Sequence, residues 1–155
     1  MKRPAKPPKP HTPSKKVKPS TSSHAASDSK PRIGLEAAVE RVVPHEWTIA
    51  AFDSRLPAVL STPAMIGMME VAAAKAVQPE LPPGAITVGT RIEVDHLKAV
   101  LEGAAVRATA RLVGYRGRFL VFEVEARSGD LLLGDGKVFR AIVQNEGFAR
   151  PASEK

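Results

Sequence analysis

Residues 61–77, STPAMIGMMEVAAAKAV, constrain the fold more than any other stretch. Pro63 suits the first position of a helix, where its missing N–H costs nothing, and Pro79 ends the run. Thr62 stands where an N-cap hydroxyl would accept a bond from a first-turn amide. From position 63 to position 74 every residue is apolar or Gly except Glu70. A helix apolar on all sides is normally buried, so the stretch predicts a central helix with the rest of the chain wrapped round it. Glu70 then lies where a carboxylate is costly. Its neighbours at three and four residues, Ile66, Gly67, Ala73 and Ala74, offer no counter-charge. The carboxylate therefore needs a partner from another element; the plainer alternative is a narrow solvated stripe.

The other elements must supply a sheet. Residues 33–52 hold two apolar pieces, LEAAVERVV and WTIAAF, and read as an opening strand broken near Pro44. Residues 53–60, DSRLPAVL, read as a loop or short lid. Residues 86–100 alternate as a strand does, with Val88, Thr90, Ile92, Val94 and His96 on the expected core face and Gly89, Arg91, Glu93 and Asp95 opposite. Residues 104–113 and 119–127 alternate again, with turns around Gly117 and residues 128–130. A last strand follows over 131–144, where Gly134 and Gly136 suggest a bulge. Short turns imply antiparallel pairing, and the apolar face needs a cover that only the central helix can give. The expected class is α+β, a curved antiparallel sheet of about five strands round one buried helix.

At 155 residues the chain suffices for one domain. Its net charge of +7 belongs to one end: residues 1–32 carry nine Lys/Arg and one acid, while residues 33–155 carry fourteen and fifteen. The first segment, rich in Lys, Pro and Ser, lacks the apolar residues to offset ordering. A disordered tail over 1–32 and a domain over 33–150 are expected. The tail could touch anionic surfaces weakly, but it has no aromatic residue to stack on a base, so a solubilising role is the simpler reading. No specific nucleic-acid or membrane partner is expected. Cysteine is absent, and neither a signal peptide nor a membrane-spanning stretch is recognisable; a cytoplasmic protein is expected.

With the strand face of His96 turned to the helix, Thr62, Glu70 and His96 converge. Hydroxyl, carboxylate and imidazole beside a helix N-terminus suit acyl transfer: the carboxylate as base or nucleophile, the imidazole moving protons, the helix amides holding an oxyanion. The histidines at 11, 24 and 45 have no ligand spacing to Glu70, so no metal is expected.

The segments VLSTPAMIGMMEVAAAKAV (59–77) and VGTRIEVDHLKAVLEG (88–103) resemble the fluoroacetyl-CoA thioesterase-like branch of hotdog-fold thioesterases. The resemblance implies a hotdog fold and hydrolysis of an acyl-CoA thioester. It implies Thr62, Glu70 and His96 as the catalytic set, and Gly89 and Arg140, in GKVFRAIV, as substrate-binding. It also implies a dimer, or a tetramer of dimers, with substrate at the subunit interface and no further cofactor. The acyl pocket of such enzymes is walled from the segment before the helix; here that wall would be Leu56 with Met65, and broad short-to-medium acyl specificity is expected. Two alternatives stay open: an acyl-CoA binding module without catalysis, and a hotdog hydratase of enoyl thioesters using Asp95 with His96. Alternation puts Asp95 on the face opposite His96.

Overall fold

The computed structural model describes residues 30–148. The tail expected over 1–32 falls almost wholly outside these residues, as do the last two positions of the expected domain. Residues 30–32 lie against the fold: the Tyr115 hydroxyl donates to the Pro31 carbonyl (2.6 Å) and Arg32 pairs with Glu80 (2.6 Å).

Five strands and one helix follow in the order β1 (Glu36–Val42), α1 (Thr62–Val77), β2 (Ala85–His96), β3 (Ala105–Arg116), β4 (Phe119–Ser128) and β5 (Leu131–Gln144). They form one antiparallel sheet in the order β1-β3-β4-β5-β2. The two tight turns give the hairpins β3–β4 and β4–β5. The link from β2 to β3 does something else: it carries the chain from one edge of the sheet to a place between β1 and β4. β2 is therefore an edge strand, paired only with β5.

Helix α1 packs on one face of this sheet. Val106, Ala108, Ala110 and Leu112 of β3 and Leu120, Phe122, Val124 and Ala126 of β4 are buried, as alternation requires. They share one core with Met65, Met68, Met69, Ala72, Ala73, Ala76 and Val77 of the helix. Alanines on both surfaces let the layers approach closely at interior packing density. Gly134 permits one close approach: a Cβ there would lie 2.6 Å from the Met65 side chain and 2.5 Å from the Asp95 carbonyl oxygen. The outer face is polar. Glu36, Arg111, Glu123, Lys137 and Glu93 stand side by side across all five strands, alternating in sign.

Three expectations need correction. WTIAAF is no strand; it forms two 3-10 turns, His45–Trp47 and Ile49–Ala51. Pro44 cannot donate to a ladder, and the Thr48 hydroxyl bonds back to the His45 carbonyl (2.7 Å), so the chain coils locally. It then doubles back, with the Ile49 amide on the Val59 carbonyl (3.0 Å) and the Ser61 amide on that of Trp47 (2.8 Å). Second, the cap of α1 is Ser61, whose hydroxyl accepts from the Ala64 amide (3.4 Å); Thr62 is the first helical residue. Third, β2 contains a bulge. Gly89 pairs with Arg140 and Arg91 with Phe139, so Thr90 is an extra residue. Val88 and Thr90 are thereby displaced from the row of His96, and Gly89 joins it. The bulge expected in β5 is present at Leu133, beside Gly134, and Gly136 adopts φ +153 where a Cβ would strike the Glu93 carbonyl.

Candidate active site

His96 closes β2. Its Nε2 lies 3.1 Å from the Lys98 carbonyl oxygen and its Nδ1 2.8 Å from Thr62 Oγ1. A carbonyl only accepts, so Nε2 carries the hydrogen; in the neutral ring Nδ1 is the acceptor and the Thr62 hydroxyl donates to it. Thr62 is free for this contact because Ser61 does the capping. The same geometry trims another expectation, that several helix amides face an oxyanion. Pro63 has no N–H, the Ala64 amide is taken by Ser61 Oγ, and the Met65 amide by the Ser61 carbonyl (3.1 Å). Among the first-turn amides, only that of Thr62 has no partner among the described residues.

Glu70 stands eight residues further on, about two turns or ~12 Å along the axis, on the side of α1 that faces β2. The partner it requires is Arg140: Glu70 Oε1 and Arg140 Nη1 are 2.9 Å apart, an ion pair whose alignment falls short of a hydrogen bond. Arg140 is buried, at 6% exposure, while the Glu70 side chain keeps 29%. Both remaining guanidinium nitrogens donate to one residue. Nε donates to Thr87 Oγ1 (2.9 Å) and Nη2 to the Thr87 carbonyl oxygen (2.8 Å). Burying a guanidinium is tolerable only when its donors are paired in this way. Glu70 Oε2 rests on the backbone of Gly89, where a Cβ would stand 2.5 Å from it. Gly89 is thus required by the carboxylate that covers it.

The structure brings together Thr62 with His96, and Glu70 with Gly89 and Arg140. Both groups lie between α1 and the β2 side of the sheet. Met65 is fully buried against Gly134, the residue paired with His96, so it belongs to the packed floor under the imidazole. Leu56 lies in the excursion between the 3-10 turns and α1, 44% exposed, with Phe52 nearby in sequence and more exposed still. Asp95 is exposed and pairs across the ladder with Asp135. Among the described residues no group of three His, Asp or Glu could hold a metal; His45 instead contacts Glu102 (3.0 Å). Three hollows of the single chain lie elsewhere, on the outer sheet face, at the open end of β1 and β3, and between β1, Trp47 and the helix. Sequence reasoning missed Thr87 and the Lys98 carbonyl. A Thr in a buried row was the available signal, but the extra residue of the bulge, three residues on, hid which row that was.

The frame is shared with solved structures. That of the fluoroacetyl-CoA thioesterase FlK matches with a TM-score of 0.70 at 33% identity, over 77% of this chain and 93% of that one. A thioesterase superfamily member from Thermus thermophilus matches at 0.69 and 30%, over 77% and 88%. In fold alone, so does a hot-dog-like protein from Thermanaerovibrio acidaminovorans, at 0.67 and 23%, over 75% and 86%. This protein is a hotdog-fold thioesterase. Sequence narrows the class further: the family model for fluoroacetyl-CoA-specific thioesterase matches residues 43–146. The fluoroacetyl-CoA thioesterase of Streptantibioticus cattleyicolor is 34% identical over 115 residues, 74% of this chain and 83% of that one. The chain belongs to the fluoroacetyl-CoA-specific thioesterase family, and its activity is hydrolysis of acyl-CoA thioesters.

Proposed function

We propose that hydrolysis proceeds through Thr62, Glu70 and His96, on short and medium acyl-CoA thioesters, in a dimer paired along β2. The observation that carries the reading is the Thr62–His96 hydrogen bond, 2.8 Å, on the same helix–strand seam as the arginine-held Glu70. Arg140 fixes one carboxylate oxygen and Gly89 leaves room for the other. Glu70 delivers the new C–O bond, by adding to the thioester carbonyl itself or by deprotonating the water that adds. In the first route the C–S bond breaks to release CoA thiol and leaves a mixed anhydride on Glu70, which water then opens to the carboxylic acid; in the second the C–S bond breaks to give CoA thiol and the acid directly. His96 and Thr62 form a proton relay beside this centre: the hydroxyl donates to the neutral ring, and the contact reverses when the ring is charged. The reaction consumes water alone, and no further cofactor enters the proposal.

Dimerisation is supported by the free edge of β2, where Gly89, Thr90, Arg91 and Glu93 are exposed beside an Ile92 that is 39% exposed. Edge strands of this kind call for a cover, and a two-fold pairing supplies one that also encloses the seam. Thiol release from acyl-CoAs, set beside water addition to crotonyl-CoA, tests the activity. Glu70→Gln and His96→Ala should each lower kcat about a hundredfold or more, and the double variant should lose little beyond the worse single. Simple additivity would break the proposed unit. Label found in Glu70 after a single turnover in ¹⁸O-water identifies direct attack with water opening the anhydride at the Glu70 carbon, since the general-base route puts label in the product alone.

The acyl range is read from Leu56, an aliphatic residue before the helix with no aromatic neighbour in DSRLPAVL. One methylene in an apolar pocket is worth about 1–3 kcal/mol, so the wall separates short chains weakly. Comparable kcat/KM on acetyl-, fluoroacetyl- and butyryl-CoA is expected. A fluoroacetyl preference over acetyl above about a thousandfold, roughly 4 kcal/mol, would defeat this part of the proposal.

A further inference from the structure

We infer that Thr87 is the positioning residue of this site, acting through Arg140 to hold the Glu70 carboxylate in its reactive place. This rests on the proposed role of Glu70. Thr87 makes no hydrogen bond to Glu70, and it lies three residues before the extra residue of the bulge. It is buried, at 7% exposure, on the face of β2 that meets α1. Its hydroxyl accepts from Arg140 Nε at 2.9 Å and its carbonyl from Arg140 Nη2 at 2.8 Å. Two contacts from one residue fix both the position and the plane of the guanidinium. With that plane fixed, Nη1 is the only nitrogen left, and it lies 2.9 Å from Glu70 Oε1.

Geometry makes the hydroxyl the critical half of this clamp. The backbone carbonyl of residue 87 survives any side-chain change, but one contact leaves the guanidinium free to pivot about it. The Glu70–Arg140 contact is not aligned as a hydrogen bond, so it cannot hold the plane by itself. A pivoting guanidinium releases Oε1, and the carboxylate is then free to leave Gly89. An unsatisfied Nε would also remain in a buried place, and side chains would shift to find it a partner. The reacting group would be present but misplaced, and small misplacements of that kind weigh heavily on rate.

The test compares Thr87→Val, which keeps the shape and removes the acceptor, with Thr87→Ser, which keeps the acceptor. Thr87→Ala serves beside them as a smaller residue that cannot overpack the site. Steady-state kinetics on acetyl-CoA and butyryl-CoA should show kcat lowered about tenfold or more for Val and Ala. KM should stay within about threefold, because the clamp holds a carboxylate and not the CoA. Thr87→Ser should restore kcat to within about threefold of the parent enzyme, a rescue that a packing role would not produce. Combined with Arg140→Lys, Thr87→Val should add little further loss. The inference is overturned if Val and Ala keep kcat within twofold, if Ser falls as far as Val, or if the losses with Arg140→Lys simply multiply. Glu70→Gln is measured in the same series. If that variant keeps full activity, the reading of Glu70 itself is wrong; if it is inactive while Thr87→Val is not, only the positioning role fails.

Discussion

Along β1 the pairing with β3 runs unbroken from Glu36–Arg111 to Val42–Ala105, whereas along β2 the pairing with β5 slips at Thr90. The two edges meet the same helix and have different tasks. On β1 the uninterrupted two-residue period buries Val39 and puts Glu40 in solvent, paired with Arg107 (2.6 Å). On β2 the interruption does work that periodicity cannot. Gly89 and His96 are seven residues apart, an odd number, and in a regular strand they would face opposite sides. The extra residue turns both toward α1, so that one strand meets Glu70 near its middle and Thr62 at its end. Bulges beside active sites often re-aim side chains in this way.

The sharpest way to break this comparison is to fill Gly89. A Cβ there would stand 2.5 Å from Glu70 Oε2 and 2.7 Å from Oε1. The obstacle is the end of a flexible side chain, so the fold yields by moving the carboxylate off Arg140. Gly89→Ala should therefore lower kcat about a hundredfold while leaving the unfolding transition nearly in place. Gly114, beside the register shift between β3 and β4, is the control, since a Cβ there meets nothing within 4 Å. Gly114→Ala should keep kcat within about twofold. Equal losses at both glycines would show that the bulge and not the carboxylate is what the alanine disturbs.

The regular edge should fail in the opposite manner. Val39 is buried at 4% exposure in the shared core. Val39→Ala removes two methyl groups and leaves a partial void, for a loss of about 2 kcal/mol. Urea unfolding should show it as a lower midpoint with an unchanged slope, and kcat per folded molecule should not change.

What could be read from the sequence follows the same division. The central helix and the alternating β3 and β4 were legible, because each depends on an unbroken period; that the solitary acid needs a partner from another element was legible too, but the partner is Arg140, and the strand histidine bonds Thr62 instead. The helix cap was not. Ser61 and Thr62 are adjacent hydroxyls, and either satisfies the capping pattern until backbone geometry assigns one to Ala64 and the other to His96. The row containing Val88 was misassigned because alternation assumes that no residue is inserted. That same assumption concealed Thr87 as a buried residue and placed Gly89 on the wrong face. The order of strands was hidden too, since the eight residues after His96 carry no mark of the sheet they cross.

The two hydroxyls therefore separate stability from chemistry at the start of the helix. Ser61→Ala removes the cap and should cost about 1 kcal/mol of stability, with kcat little changed. Thr62→Ala leaves the cap in place and removes the partner of His96 Nδ1; kcat should fall about tenfold or more, with stability nearly unchanged. If the Thr62 variant were the less stable of the two, the assignment of the cap would be wrong.

The smallest effect is expected where the start of the fold is fastened. The Arg32 amide and guanidinium both donate to Glu80, at 2.8 and 2.6 Å. Those bonds, the one from the backbone first, hold the Glu80 carboxyl below its ordinary value near 4.5. A carboxyl lowered on folding releases its proton more readily in the native state. Its contribution to stability is complete above its unfolded value and disappears as pH falls through the lower, folded one. The pair is open to water, so the contribution is small and salt weakens it. Glu80→Gln should lower the urea midpoint slightly at pH 7, and the difference from the parent should shrink as pH falls below the ordinary carboxyl value. Glu40→Gln, which loosens the exposed Arg107 pair on β1, provides the reference. A Glu80 deficit that persists unchanged at pH 3 would mean that the side chain acts by packing, and the fastening would not be electrostatic.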